Sequence, residues 1–301
     1  MPAYGHADFV AAAVASVLQA RGGPPREVVV VNDGSPDATA AALTAWRRDP
    51  RLTYLEQPNA GPAAARNRGL ARCRAPWILF LDDDDLCPAG RLDRQLSKLA
   101  DLPQAAALVG RAARFRGDAA PQPPDALPAG GLFRAQLLIE NPVLSPGQAL
   151  IRRDALVAVG GLSELPGGAD DWDLWLKLVN QGKLVTETET ALHYRLHPGN
   201  ASRQTLPMLR SCLAVLDRHA HDAPPAVRRD AAERLMRYVG RPVLRDFVDA
   251  WTRGDLDAAG PRFAALADLY RFGDRDPALL ERAAETLARP RPVSEPFQPS
   301  K

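Results

Sequence analysis

Phe9, Val10, Ala13, Val14, Val17 and Leu18 recur at the 3.6-residue period of a helix, and after the break Gly22-Gly23-Pro24-Pro25 the run Glu27–Val31 reads as a buried strand. The alternation continues. A helix is expected from Asp37, a good N-cap, through Trp46; Leu52–Leu55 is a short strand; Gly61-Pro62 opens a third helix; and Trp77–Leu81 is a continuous apolar strand. Short buried strands alternating with helices predict a parallel α/β sheet whose ligand site lies at the carboxyl ends of the strands. Beyond Asp85 the pattern gives a helix near Arg91–Leu99, a strand near Ala106–Val109, a Pro/Ala-rich loop over 117–130 that reads as mobile, a strand near Gly147–Arg152, a helix from Asp170 and a strand near Leu184–Tyr194. Residues 205–288 read as amphipathic helices and the Pro-rich residues 289–301 as a disordered tail, so the expected division is 1–204, 205–288 and 289–301.

Composition narrows the function classes. With 301 residues, 46% of them hydrophobic, the chain can bury one substantial core. Its 38 basic and 36 acidic residues leave a net charge of +2, too weak a field to draw it onto nucleic acid. Cys73, Cys87 and Cys212 are odd in number and lack any metal-type spacing, so reduced thiols in a cytoplasm are expected, without a disulfide framework or a zinc site. No stretch approaches the roughly 20 apolar residues of a membrane span, and no GxGxxG follows an early strand, which disfavours a dinucleotide oxidoreductase.

The most informative segment is Ile78-Leu79-Phe80-Leu81 running straight into Asp82-Asp83-Asp84-Asp85. A bare acidic run is usually a solvated turn, but at a strand's carboxyl end such hard oxygen ligands suit Mg²⁺ or Mn²⁺, and that ion would neutralise a diphosphate. Val30-Val31-Asn32-Asp33-Gly34-Ser35 again ends a strand on a carboxylate and a tight turn. Asn59 to Gly69 begins a helix and carries Arg66 and Arg68, which can face an anion. Gly160-Gly161-Leu162 precedes Asp170-Asp171-Trp172-Asp173, carboxylates in a first helical turn, where the helix dipole favours them in any case.

In this order the segments resemble the family 2 glycosyltransferases, over roughly residues 2–200. Pro2-Ala3-Tyr4 with Ser16 to Gln19 is similar to the family's opening pattern, with Gly5 where Asn is usual. The resemblance implies a glycosyltransferase A fold, a mostly parallel sheet flanked by helices, here with a C-terminal helical extension. It implies donor-binding roles for Pro2, Tyr4, Asp33, Asn59, Arg66, Asp82 and Asp83, with Asp33 holding the nucleobase, Tyr4 flanking it and Asp82 meeting the ribose. Asp84 would ligate Mn²⁺ or Mg²⁺, and in Tyr194-Arg195-Leu196-His197 the histidine, His197, or the arginine would approach the metal or the phosphates. Asp171 would be the general base, with Asp170, standing where Glu is commoner, as the fallback. The implied reaction is a metal-dependent, inverting, hexosyl-type transfer from a nucleotide-sugar, a UDP-sugar first, to a saccharide or lipid-linked acceptor in cell-surface polysaccharide or glycolipid synthesis.

The family's first apolar strand normally precedes its Pro-x-Tyr, whereas here Met1 adjoins Pro2, so that strand is expected to be missing and the natural start to lie upstream. Arg228, Arg229, Arg234, Arg237, Arg241 and Arg245 form either a solvated helix face, the favoured reading, or a basic face resting on anionic lipid at the inner side of the cell membrane. A nucleotidyltransferase and an impaired, non-catalytic nucleotide-sugar-binding homologue are the competing functions.

Overall fold

The computed structural model describes residues 1–19, 26–165, 167–200 and 204–275; the expected tail 289–301 and the end of the expected helical region lie outside them. The chain divides into two compact units, Met1–Arg203 and Gln204–Lys301.

The first unit opens with β1 (Pro2–Ala3), α1 (Ala7–Leu18), β2 (Val28–Asn32), the one-turn α2 (Thr39–Ala42), β3 (Leu52–Glu56) and α3 (Pro62–Arg72). The helix expected over Asp37–Trp46 is thus split: α2 stops at Ala42 and a 3₁₀ turn, Trp46–Arg48, follows. It starts late because Asp37 Oδ1 accepts from both the backbone N–H (3.1 Å) and the hydroxyl (2.6 Å) of Thr39, a local turn that competes with helix. Strands β1, β2 and β3 form a parallel three-stranded sheet in that spatial order.

A second sheet takes the order β4-β6-β5-β7, from β4 (Trp77–Leu79), β5 (Ala105–Phe115), β6 (Ala149–Arg152) and β7 (Lys183–Arg195). Here β6 runs antiparallel to both neighbours, while β5 and β7 are parallel. Three helices pack around it: α4 (Arg91–Ala100), the short α5 (Arg134–Leu137) and α6 (Arg153–Ala158); α7 (Asp170–Leu178) then leads into β7. Gly110 lets β7 lie close on β5, since a Cβ there would sit 2.5 Å from that of Ala191.

Where the first strand was expected to be missing, the two-residue β1 holds its place beside β2. Pro2 pairs with Val31 and Ala3 with Asn32, and the Met1 ammonium donates to the Val29 carbonyl at 2.9 Å. Burial lowers that ammonium's pKa to about 6. Beside it, between β2 and β4, lies an apolar cavity of about 440 Å³, lined by Val28, Val29, Ile78, Leu79 and Leu96. The buried apolar faces of α1 and β2, with Val10, Val14, Val30 and Leu81, make the core that seats the strand ends.

The second unit comprises α8 (Thr205–Ala220), α9 (Pro225–Leu235), a π turn (Met236–Gly240), α10 (Arg241–Thr252) and α11 (Leu256–Phe272). Phe247 packs against Phe263, ring centroids 5.7 Å apart. Arg228 pairs with Asp274, while Arg229, Arg237, Arg241 and Arg245 are exposed on helices that also carry acidic residues. Among the described residues no helix is long and apolar enough to cross a membrane.

Candidate active site at the strand ends

Four consecutive carboxylates repel one another, and the fold answers by giving each its own partner. Asp82 Oδ1 accepts from Arg66 Nη2 at 2.6 Å. Asp83 accepts from the Tyr4 N–H at 2.9 Å and from His6 Nδ1 at 2.8 Å. Asp84 Oδ2 lies 2.9 Å from His197 Nε2, and Asp85, fully buried, accepts from the Arg195 N–H at 2.9 Å. The length of β7 makes the last two contacts possible, because its end delivers Arg195 and His197 beside the acidic run. Burial, then the Asp82 charge, push the Asp84 carboxyl above the ordinary carboxylate range, against the pull of the His197 bond. Burial and the Asp84 charge push Asp85 well above it. The bond to Asp83 raises His6.

A second group of acids reaches the same place through α3 and α7. Gly61, at φ 90°, sets the start of α3 and Pro62 occupies its first turn. One turn on, the buried Arg66 donates to Asp82 and, through Nη1, to Asp170 Oδ2 at 2.8 Å. Burial opposes its charge, but the Asp82 and Asp170 carboxylates outweigh that and hold the guanidinium above its ordinary value. The next residue, Asn67, clamps Leu162 with two bonds, 2.8 Å to its carbonyl and 2.9 Å from its N–H. Gly161 is required there: at φ 72° a Cβ would meet Asn67 Oδ1 at 2.4 Å. This clamp fixes the approach to α7.

Asp171 sits in the first turn of α7, 8% exposed. It accepts from the Trp172 N–H at 2.7 Å and from Asn141 Nδ2 at 3.3 Å. With Arg66 spent on Asp82 and Asp170, burial and the Asp170 charge raise the Asp171 carboxyl to about 7.

The donor-side residues are placed unevenly. Asp33, 2% exposed, accepts from Gln57 Nε2 and from the Ala60 and Gly61 N–H groups at 2.7, 2.9 and 2.8 Å, so its carboxylate ties down the loop before α3. Asn59 is exposed on that loop, Pro2 is buried in β1, and Tyr4 is 48% exposed beside the acidic run. Asp82, Asp84, Asp170 and His197 thus converge with Arg66, while Asp33 and Asn59 stand on the neighbouring sheet's loop.

Several contributors escape the sequence reading: His6, Asn141 and Ser145, whose hydroxyl donates to Asp82 at 3.4 Å. Only His6 carried a visible signal, a histidine two residues past the Tyr4 that leaves β1.

The family model described as "Glycosyl transferase family 2" matches residues 1–160. The chain belongs to that family. Consistent with this, the succinoglycan biosynthesis protein ExoU of Rhizobium meliloti is 32% identical over 275 residues, covering 81% of this chain and 75% of that protein. A glycosyltransferase of Rickettsia bellii is 34% identical over 96 residues, 32% of this chain but only 14% of that longer protein. The crystal structure of Staphylococcus aureus TarS 1-349 in complex with UDP-GlcNAc superposes with a TM-score of 0.68 at 18% identity, covering 95% of this chain and 86% of that one, a likeness of fold. This family 2 glycosyltransferase therefore has the α/β fold, sheet flanked by helices and helical C-terminal part, that the motifs implied.

Proposed function

We propose that this chain transfers a hexose from a nucleotide-diphosphate sugar, a UDP-sugar first, to an acceptor hydroxyl with inversion, Asp171 serving as the general base. One observation carries the reading: the buried Arg66 grips Asp82 and Asp170 together, joining the strand-end acids to the acids of α7 in one site. TarS in complex with UDP-GlcNAc supports the donor class, and ExoU, a protein of succinoglycan biosynthesis, supports a saccharide or lipid-linked acceptor in cell-surface polysaccharide synthesis. Reduced Cys73, Cys87 and Cys212 suit action in the cytoplasm or at the inner face of its membrane.

The acidic run fits a divalent cation, since Asp84 with raised proton affinity and the facing His197 supply a carboxylate and an imidazole from different elements. Mn²⁺ or Mg²⁺ held there would supply charge neutralisation for a leaving diphosphate. The chain's own residues do the rest. Tyr4, exposed at the exit of β1, flanks the base, and Asp82 and Asp83 border the ribose. Asp33 shapes the base pocket by holding the Gln57–Gly61 loop, on which Asn59 faces outward.

Asp171 takes the proton from the acceptor hydroxyl as its oxygen bonds to the anomeric carbon. The bond from that carbon to the phosphate oxygen breaks, and the nucleoside diphosphate leaves with the electron pair. A carboxyl near 7 matches this task, because a base works best when its pKa lies near the working pH. Asp170, committed to Arg66, orients rather than accepts.

The test is Asp171→Asn, with donor binding measured by calorimetry beside turnover of a UDP-sugar. Donor affinity should survive while transfer falls. Full turnover in that variant would overturn the assignment.

A further inference from the structure

The metal pair read from sequence is Asp84 and His197, but a third group points at the same spot. His6 meets His197 edge to face, ring centroids 5.0 Å apart, and one ligand atom each from His6, Asp84 and His197 lies within 4.8 Å of the other two. The first turn after β1 and the end of β7 are what bring them together.

The two histidines are prepared differently. His6 Nδ1 lies 2.8 Å from Asp83 Oδ1, and the other oxygen of Asp83 is taken by the Tyr4 N–H. A carboxylate only accepts, so Nδ1 carries the hydrogen and Nε2 presents a lone pair. A carboxylate behind a histidine, fixing tautomer and ring plane, is how metal-binding imidazoles are held. His197 is set the other way: the Gly199 N–H donates to its Nδ1 at 3.2 Å, so in the neutral ring Nε2–H points at Asp84. His197 must exchange that long bond and shift a proton between its ring nitrogens to bind an ion, whereas the neutral His6 ring held by Asp83 already presents Nε2.

Resting on the reading of Asp84 as a ligand, we propose that His6 is a third protein ligand of the divalent-ion site, which makes the donor set two imidazoles and one carboxylate and turns ion choice away from Mg²⁺ toward first-row transition ions. Mg²⁺ favours oxygen donors and near-ideal octahedral geometry, while imidazole nitrogen suits the transition metals. Asp83 is the positioning residue for His6.

The experiment titrates the full chain with MnCl₂, CoCl₂ or MgCl₂ alone, by calorimetry and by electron spin echo modulation of bound Mn²⁺, for wild type, His6→Gln, His6→Ala and Asp84→Ala. We expect both His6 variants to weaken Mn²⁺ and Co²⁺ at least tenfold, to leave Mg²⁺ nearly unchanged, and to lose one imidazole ¹⁴N coupling, with the ion-free melting of His6→Gln, whose amide can still donate to Asp83, close to wild type and that of His6→Ala lower. Asp84→Ala should weaken all three ions. If the His6 variants keep wild-type affinities and couplings while Asp84→Ala loses the ion, the third ligand is wrong and the Asp84 site stands. If Asp84→Ala binds as wild type, the Asp84 reading fails and the three-ligand set fails with it.

Discussion

Two acidic clusters face each other, Asp82–Asp85 at the end of β4 and Asp170–Asp173 at the start of α7, alike in composition and unlike in chemistry. In the first, every carboxylate is matched to a donor from elsewhere in the chain, Arg66, Tyr4, His6, His197 or Arg195. In the second, Asp170 takes Arg66 and Asp173 takes Ser163 and Lys177, and Asp171 is left with one backbone N–H and one distant amide. What sets Asp171 apart is burial first and the neighbouring Asp170 charge second, which the more distant pull of Arg66 does not cancel.

The comparison can be broken most severely at Asp171. Replacing it with Asn should lower kcat by about 10²- to 10⁴-fold, the usual contribution of a general base, with donor affinity within about twofold in calorimetry. Next in size, Arg66→Met strands Asp82 and Asp170 in a buried site and should cost about 3–5 kcal/mol in denaturant unfolding, the price of breaking a buried ion pair. Arg66→Lys should recover only part of that, because an ammonium cannot hold two carboxylates in one plane.

A third expectation sharpens the comparison through pH. Asp171 must be ionised to accept a proton, so kcat/KM should fall as pH drops below about 7. Its stability effect has the opposite sign: a carboxyl raised in the folded state contributes stability below its unfolded value of 3.8, and that contribution is lost as pH rises through about 7. Asp171→Asn should therefore melt higher than wild type at pH 8, by a few kcal/mol at about 1.4 kcal/mol per pKa unit, and show little advantage at pH 4. The smallest change is Gly161→Ala, which pairs a left-handed backbone with a clash on Asn67 and should cost about 1–3 kcal/mol while lowering kcat by loosening α7.

Much of this architecture was legible in the chain. Apolar runs ending on Asp33 and Asp82 place two strand ends, and the glycines before Asp170 announce the turn that Asn67 clamps. Periodicity carries no direction, however, so the antiparallel course of β6 was invisible. Strand β5 runs to Phe115, well past the expected Val109, because Gly110 and Arg111 interrupt its apolar run, yet Arg111 pairs with Thr190 of β7 across an irregular register. The tie of Asp33 to the loop before α3 was not visible because its three donors come from residues 24 to 28 positions away. The raised Asp171 carboxyl depends first on its burial, which tertiary packing sets and no local pattern encodes.

The bonds that define the site are among the longest-range in the chain. Arg66 to Asp170 spans 104 residues, Arg195 to Asp85 spans 110, and His197 to Asp84 spans 113. Closing loops of that size is entropically slow, and such contacts form after local helices and neighbouring strands have settled. On the ribosome, a nascent chain that has released the acidic run after β4 already holds the partners of Asp82 and Asp83, in Arg66, Tyr4 and His6, but it gains Arg195 and His197, the partners of Asp85 and Asp84, only when β7 and the turn after it have emerged. The acidic run is therefore fully partnered only late in synthesis, and an incomplete chain lacks the two groups that meet Asp84 and Asp85.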